Sequence, residues 1–401
     1  METIKTIYRI GHGPSSSHTM APERACQIVL KKYPGATKFN VTLYNSLAST
    51  GQGHLTNYII QKTLDTARTK ITKVQNYDKH PNYFTIRVLK GDTVLDEIAF
   101  ASIGGGALSV NGKSDNSKNI YKEKSFDDIK KYIKEKHITL TDYVFEHEDE
   151  DFKDYLLKVW EVMKKSITRG LMEEGILPGK LGVVRKAKEL FKVANLKTND
   201  NFIRKVSSYA FAVGEENAAG NVIATAPTCG ACGVVPAVLY YYYHDQGMNE
   251  EKIIHALAVA GLFGNIVRKN ATISGAVGGC QAEVGTACSM AAAACSFLFN
   301  STVDEIEYAA EIGMEHHLGL TCDPVDGYVQ IPCIERNAVA AIRAINASML
   351  ADSLSGTRKV SFDTVVKTMY QTGLDMDVKY KETAEAGLAY FYYEKKGKQK
   401  K

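Results

Sequence analysis

The sequence predicts an α+β protein in which a small N-terminal α/β domain precedes a larger, all-helical domain. Between Lys38 and Val110, three segments alternate apolar with polar residues and are rich in β-branched and aromatic side chains, as half-buried strands are. A polar stretch, NGKSDNSKNIYKEKS, then has the composition of a linker. Beyond about Asp149 the strand pattern nearly disappears, and apolar residues recur at helical spacing.

The elements of the small domain follow in chain order. Helices are predicted in PERACQIVLKKY and in HLTNYIIQKTLDTA, because apolar residues recur every three or four positions in both segments. Strands are predicted in KFNVTLYNSL, YFTIRVLKGD and TVLDEIAFASI. After the polar stretch, FDDIKKYIKEKH is predicted to form a short amphipathic helix.

The remaining elements are predicted to be helices with glycine-rich breaks. One lies in DFKDYLLKVWEVMKKSITRGLM, a second opens on the capping box of Thr302 and Glu305, and a third lies in ERNAVAAIRAINASMLADS. We therefore divide the chain into a small α/β domain (1–112), a linker with short helices (113–148), a helical domain (149–393) and a lysine-rich tail (394–401). We expect this tail to be disordered.

The composition is that of an ordinary globular protein. Hydrophobic residues make up 45% and charged residues 23% of the 401 residues, which excludes a wholly disordered chain. The net charge of +4 arises from lysines at the C-terminal end, so we expect no nucleic-acid partner. The N-terminus lacks the features of a secretory signal, and the apolar runs Ile253–Val267 and Val284–Asn300 are too short to cross a bilayer. We expect a cytoplasmic protein with no membrane partner, in which these runs are buried helices.

Two loops of the small domain are candidates for substrate binding. GHGPSSSHT offers Ser15, Ser16, Ser17 and Thr19 together with backbone N–H groups at a helix start, which suits an anion. The alternative is an N-cap, for which one serine would suffice. NSLASTGQGHLTN places His54 among glycines and small polar residues, where it could act as a general base near neutral pH. A packed or surface histidine is the alternative for this loop.

A third candidate is the turn in NAAGNVIATAPTCGACGVVPAVL. Its Cys229 and Cys232 form a CxxC pair, but no second pair with comparable spacing completes a zinc site. A redox CxxC would need a strand in a βαβ unit before it, whereas this region has a helical pattern. The turn itself, with Thr228, Gly230 and Ala231, offers backbone donors at a helix start.

Seven of the eight cysteines lie between positions 229 and 333. Cys288 and Cys295 share one face of an alanine-rich helix, where cysteine is usually a packing residue. Cys280, Cys322 and Cys333 lie in irregular backbone beside glycines and prolines, where thiolates can converge on a metal. Their spacing matches no compact zinc or ferredoxin pattern, so spacing alone leaves inert packing open.

Six segments identify a family. GPSSSHT, ENAAG, APTCGACGVVPAVL, GCQAEVG, MEHHLGLTCDPV and PCIERNA follow one another in this order, and with them the chain resembles the iron–sulfur L-serine dehydratases from about residue 7 to residue 390. The resemblance implies a β domain similar to the allosteric substrate-binding domain of some phosphoglycerate dehydrogenases. It also implies that a helical catalytic domain follows in the same chain.

The resemblance also implies a cofactor. On matching motifs, Cys280, Cys322 and Cys333 would hold a [4Fe–4S] cluster and leave one iron open. An open iron is a Lewis acid that could make the β-hydroxyl of serine a better leaving group, without pyridoxal phosphate. Cys229 departs from the family pattern, because many relatives have asparagine there.

The resemblance assigns roles to the loops as well. The serine-rich loop would hold the substrate carboxylate, with the turn at Thr228 contributing further contacts. His54, in a segment similar to the family's GKGHGT loop, would remove the Cα proton, and His18 is the alternative base.

The implied reaction is β-elimination of water from L-serine, giving pyruvate and ammonia. A related lyase acting on L-cysteine or L-threonine is one alternative, and a catalytically silent sensor of serine or iron is another. We expect L-serine as the small-molecule partner and a homodimer as the assembly.

Overall fold

The computed structural model describes residues 1–51, 53–75, 78, 80, 82–114, 118–194 and 201–394. Residues 395–401 of the predicted tail and 115–117 of the predicted linker lie outside the described residues. The predicted α+β fold class is confirmed. The strands are β1 Ile10–His12, β2 Lys38–Tyr44, β3 Thr69–Val74, β4 Tyr83–Lys90, β5 Thr93–Ser102, β6 Leu108–Val110, β7 Lys113–Ser114 and β8 Val222–Ala224.

The helices are more numerous in the second part of the chain. They are α1 Ala21–Lys32, α2 Asn45–Thr50, α3 Thr56–Leu64, α4 Phe126–Lys136, α5 Leu140–His147, α6 Phe152–Met172, α7 Ala187–Ala194, α8 Asn201–Ala218, α9 Val234–Tyr240, α10 Glu250–Asn270, α11 Gly275–Gly278, α12 Thr286–Leu298, α13 Val303–Glu315, α14 Cys333–Leu354, α15 Phe362–Asp375 and α16 Gly387–Glu394. Short π-helical segments at Ser16–Met20, Tyr241–Asp245 and Gln281–Gly285 interrupt or extend them.

A six-stranded sheet in the order β3-β2-β4-β5-β6-β7 forms the small domain. The strands β2 and β3 are parallel, and the other neighbouring strands are antiparallel. Alternate residues of β2, Phe39, Val41 and Leu43, are buried against α1 and α3. Because side chains alternate between the two faces of a strand, Lys38 and Asn40 are exposed on the other face. The alternation in the sequence therefore marks a sheet with helices on one face.

The helical region is built around α10 and α12. Nearly every side chain of α12 is buried, and the helix packs between α10, α13 and α14. Its Cys288 thiol lies 3.4 Å from the carbonyl oxygen of Ala340, and its Cys295 thiol lies 3.6 Å from the hydroxyl of Tyr242. The prediction that both apolar runs form buried helices is confirmed. Over the described part of the chain, no helix is long and apolar enough to span a membrane.

The first nine residues belong to the core of the helical region. Ile4, Ile7 and Tyr8 are fully buried there, and the Tyr8 hydroxyl donates to the Leu257 carbonyl over 2.8 Å. The chain then forms β1, which pairs antiparallel with β8. The expectation of an all-helical second part therefore misses one strand. A three-residue strand shows no periodicity in a sequence, and β8 exists because β1 supplies its partner.

The helices α4 and α5, predicted within the linker, extend the same core. Phe126 and Tyr143 are fully buried in it. The Glu148 carboxylate accepts hydrogen bonds from the Ile4 N–H and the Tyr121 hydroxyl, both over 2.7 Å. The domain boundaries at 112 and 148 stay a prediction. The segment before the small domain and the segment after it both pack into the helical core.

Candidate active site

Loops from both parts of the chain meet at one cleft of about 660 Å³, including its open mouth. The serine-rich loop, Ser15–Ser17, and His54 line it on one side, and Cys280, Cys322 and Cys333 line it on the other. The lining is completed by Pro14, Gly105, Thr228, Gly230, Ile273, Ser274, Gly275, Glu283, Pro324, Val329 and Glu382.

The serine-rich loop leads into the helical turn that precedes α1. The Ser15 hydroxyl caps this turn by accepting the His18 N–H over 3.2 Å. The Ser16 hydroxyl accepts the Cys229 N–H over 2.8 Å, which ties the loop to the helical region. A hydroxyl that accepts one bond still has a proton to donate. One serine therefore serves as the cap, and all three serines line the cleft.

Thr19 has a different place from the one expected for it. It is not among the described residues that line the cleft. Its buried hydroxyl donates to the His54 carbonyl over 2.6 Å and accepts the Ser15 N–H over 3.2 Å. Thr19 thus holds the His54 segment against the serine-rich loop, which is a positioning role.

His54 is a buried group that borders the cavity. Its side chain is 7% exposed, and its Nδ1 has no hydrogen-bond partner among the described residues. Burial lowers the pKa of His54 to about 4, an effect that the Gly327 backbone partly offsets. The ring is therefore neutral at pH 7 and can accept a proton. The sequence predicted a loop histidine that titrates near neutral pH. The pKa is lower than predicted because the side chain is buried. The segment before His54 is also not entirely a loop, since it contains α2.

His18 lies behind His54 and is not among the described lining residues. The two ring centroids are 4.5 Å apart, and the Nε2 of His18 is 3.0 Å from the Ser46 hydroxyl. Burial, together with the neighbouring His54, holds the pKa of His18 well below its usual value. His18 therefore forms the support of His54 on the side away from the cavity.

The turn after β8 contributes Thr228 and Gly230 to the cleft, whereas Ala231 is buried beside it. The Asn337 amide fixes this turn by donating to the Gly230 carbonyl over 2.7 Å and accepting from the Gly233 N–H over 2.8 Å. The pair Cys229 and Cys232 is buried behind the turn and is not among the described lining residues.

Cys280, Cys322 and Cys333 line the same cleft, and Cys333 is the first residue of α14. None of the three forms a disulfide. Burial raises the pKa of Cys280 to about 12, and it also raises the pKa values of Cys322 and Cys333 well above the ordinary value of a thiol. Three sulfur donors at one cleft can hold a metal centre, and such binding releases the thiol protons.

Arg336 stands beside these thiols. Its guanidinium donates to the Thr321 carbonyl over 2.6 Å and to the Asp323 carboxylate over 3.2 Å. Its pKa is raised chiefly by the neighbouring Cys280 and Cys333, against the opposing effect of burial. A cation at this place compensates the charge that thiolates would carry.

Two acidic residues of the site were missed at the sequence level. Glu283 accepts a hydrogen bond from the Thr228 hydroxyl over 2.7 Å. One oxygen of Glu283, one of Glu382 and the Cys322 sulfur lie within 4.8 Å of one another. Glu283 lies in GCQAEVG, one of the six segments that carry the family resemblance, so the sequence contained a signal for it. Glu382 is brought there by backbone bonds between Cys322 and the segment 380–382, which leave no pattern in the sequence.

Comparison with known proteins accounts for both parts of the chain. A family model described as serine dehydratase beta chain matches residues 3–76, and one described as serine dehydratase alpha chain matches residues 58–389. The chain is 38% identical to L-serine dehydratase 2 of Escherichia coli, covering 97% of this chain and 98% of that one. It is also 38% identical to an L-serine dehydratase of Haemophilus influenzae (97% and 99% covered) and 37% identical to one of Streptomyces coelicolor (96% and 98% covered). The chain therefore belongs to the serine dehydratase family, with the beta-chain and alpha-chain regions fused in one polypeptide.

Proposed function

We propose that this protein is an L-serine dehydratase, which eliminates water from L-serine and yields pyruvate and ammonia. The observation that carries the proposal is the single cleft that combines three thiols, a serine-rich loop and a histidine with an unpartnered nitrogen. The elimination product, aminoacrylate, hydrolyses through its imine to pyruvate and ammonia. Proteins that bear the name L-serine dehydratase and match nearly the whole chain support this assignment.

The donor set fits a [4Fe–4S] cluster with one open iron. Cys280, Cys322 and Cys333 would hold it, since thiolates are the usual ligands of such clusters and all three are unpaired and line the same cleft. When bound, the cluster supplies a Lewis acid that favours departure of the β-hydroxyl.

The serine-rich loop is the proposed carboxylate site. Ser15, Ser16 and Ser17 present hydroxyl groups, and the start of the helical segment presents backbone N–H groups. Hydrogen bonds from these donors hold the carboxylate. They also stabilise the charge that develops when the Cα proton leaves.

His54 is the proposed base. Its unpartnered Nδ1 can accept the Cα proton, and the neutral ring is the form required at pH 7. Thr19 fixes the backbone of His54, and the tilted ring of His18 packs against it. Both contacts keep the imidazole in place while the surrounding burial limits access of water.

Anaerobic reconstitution with iron and sulfide, followed by a pyruvate assay with L-serine, L-threonine and L-cysteine in parallel, tests the function. We expect the highest kcat/KM with L-serine. Cys280→Ser should lose both the cluster absorption and activity, whereas the matched variant Cys288→Ser should keep both. Full iron loading without turnover of any of the three substrates would contradict the proposal.

We further propose that the protein is a homodimer. Apolar side chains on the outer face of α14 support it, since Val339 and Met349 are each 57% exposed and Leu354 is 43% exposed. Light scattering during size-exclusion chromatography measures the mass directly, and the mass of one chain would contradict the proposal. The cytoplasmic location stays a prediction from the sequence.

A further inference from the structure

Two carboxylates lie together in the cleft without a counter-charge. Oxygens of Glu283 and Glu382 lie within 4.8 Å of each other, and both side chains line the cavity. Within the described part of the chain, the lining includes no lysine or arginine, and neither carboxylate takes part in an ion pair. Thr228 donates to Glu283, which leaves most of the acceptor capacity of the pair unused.

Gly275 leaves the space that the two carboxyl groups occupy. A side chain at this position would overlap with one oxygen of Glu382, and its Cβ would lie 2.6 Å from Oε2 of Glu283. The missing side chain therefore lets the oxygens of both glutamates meet at the cavity lining. Both side chains are partly buried, and removal from water disfavours their ionised forms unless a cation or hydrogen-bond donors compensate them. Burial accordingly raises the pKa of Glu283 and raises the pKa of Glu382 to about 8. The Cys322 sulfur beside them adds negative charge when it is deprotonated.

A second observation in the same cavity points to a ligand. His54 lines the cleft and is more than nine-tenths buried, and its Nδ1, which is shielded from solvent, has no hydrogen-bond partner among the described residues. The cleft therefore presents hydroxyl groups on the serine-rich loop, an unpartnered nitrogen at His54 and unused acceptors at the two glutamates. These three kinds of group suit a small zwitterion. The hydroxyl groups suit its carboxylate, the histidine nitrogen its acidic C–H, and the glutamates its ammonium.

We propose that Glu283 and Glu382 together bind the α-ammonium group of the substrate amino acid. The inference rests on the proposed function for the identity of the substrate and adds the residues that recognise its amino group. The ammonium group is the cation that the pair lacks, and it can donate charge-assisted hydrogen bonds to both carboxylates. The pair thus selects amino acids against hydroxy acids that lack the amino group.

Two non-reactive ligands test the proposal by equilibrium binding. L-Alanine and propanoate differ in the ammonium group, and neither has a β-hydroxyl to lose. Calorimetry on the anaerobic holoenzyme should show L-alanine binding roughly 10- to 100-fold more tightly than propanoate, the scale of a hydrogen-bonded charge. In Glu382→Gln and in Glu283→Gln, this ratio should fall towards one through weaker binding of L-alanine.

Glu385→Gln is the matched control, since it makes the same charge change at an exposed residue of the same segment. It should keep the ratio of the wild-type protein. Equal affinity of the wild-type protein for L-alanine and propanoate would overturn the proposal, and this measurement requires no variant to fold. Loss of iron from Glu382→Gln would also overturn it, because that result would make the carboxylate a metal ligand. Wild-type protein that prefers L-alanine but cannot dehydrate L-serine would refute the proposed function and leave the ammonium site standing.

Discussion

Replacing the proposed base tests the arrangement of the cleft most directly. In His54→Asn the hydrogen-bonding amide remains and the proton acceptor is lost. Loss of a general base lowers turnover by about 10²- to 10⁴-fold, so we expect a fall in kcat of at least about 10²-fold. The Thr19 contact is made by the His54 backbone and survives the change, so the cluster absorption should be unaltered.

The dependence of kcat/KM on pH gives a second quantitative test of the role of His54. With a pKa of about 4, His54 is roughly 1% protonated at pH 6, whereas a histidine at the ordinary value of about 6.5 would be about three-quarters protonated. Protonation removes the base, so activity falls as the pH drops through the pKa. We therefore expect protonation of His54 to cause no inflection in kcat/KM between pH 7.5 and pH 5.5. Burial raises the pKa of Glu382 to about 8, so a gradual fall below pH 8 is assigned to that carboxyl group.

The assay is pyruvate formation by anaerobic holoenzyme across this pH range. His244→Asn is the matched control, because His244 is an exposed histidine far from the lining of the cleft. An inflection near pH 6.5 in the wild-type profile would contradict the role of burial. Near-normal kcat in His54→Asn would refute the assignment of the base, and a collapse only in His18→Asn would transfer the role to His18.

Three other perturbations have defined outcomes. Thr225→Val removes the buried hydroxyl that donates to the Ile7 carbonyl (2.7 Å) and accepts the Arg9 N–H (2.8 Å), so urea unfolding should show a loss of about 2–4 kcal/mol that Thr225→Ser restores. Cys229→Asn should keep the iron content and kcat within about threefold, because the backbone N–H of residue 229 keeps its bond to the Ser16 hydroxyl and the asparagine amide can replace the thiol beside that hydroxyl; loss of iron would show that the thiol is a ligand. Burial lowers the pKa of His317 to about 4, so protons bind the unfolded chain preferentially and the apoprotein loses stability as the pH falls from about 6.5 to 4. His317→Gln should flatten this slope by up to about 1.4 kcal/mol per pH unit, as measured by urea unfolding at several pH values, and an unchanged slope would contradict the shift.

Many residues that line the cleft could be predicted from the sequence, because neighbouring glycines and prolines indicate the turns and loops in which they lie. Cys280, Cys322 and Cys333 are flanked by glycine and proline, which separates them from the helical pair Cys288 and Cys295. The same reasoning could not assign Thr19, since its hydroxyl acts through a contact with His54, 35 residues away. Glu382 was beyond reach for a related reason: it owes its place to long-range backbone bonds with Cys322.

The fold class follows from periodicity, but the assignment of segments to a core does not. The apolar residues Ile4 and Ile7 are visible in the sequence, and their position before the first strand suggests the small domain. They are buried in the helical core instead, and Phe126 of the predicted linker joins them. Periodicity shows that a face is apolar, whereas the partner of that face is a property of the tertiary structure.

The attachment of the small domain at both ends has a mechanical consequence. A body held at two points can rotate only about the line that joins them, so any opening of the cleft would be a hinge motion about one axis. The Thr19–His54 bond makes the serine-rich loop and the base one moving unit, which keeps their spacing constant at every opening angle. The serine-rich loop is also tied to the helical region by bonds from the Cys229 N–H to the Ser16 hydroxyl and from the Asn217 amide to the Pro14 carbonyl, and a rotation of this loop would have to break both. Any rotation that admits the substrate would therefore also separate the two walls of the cleft.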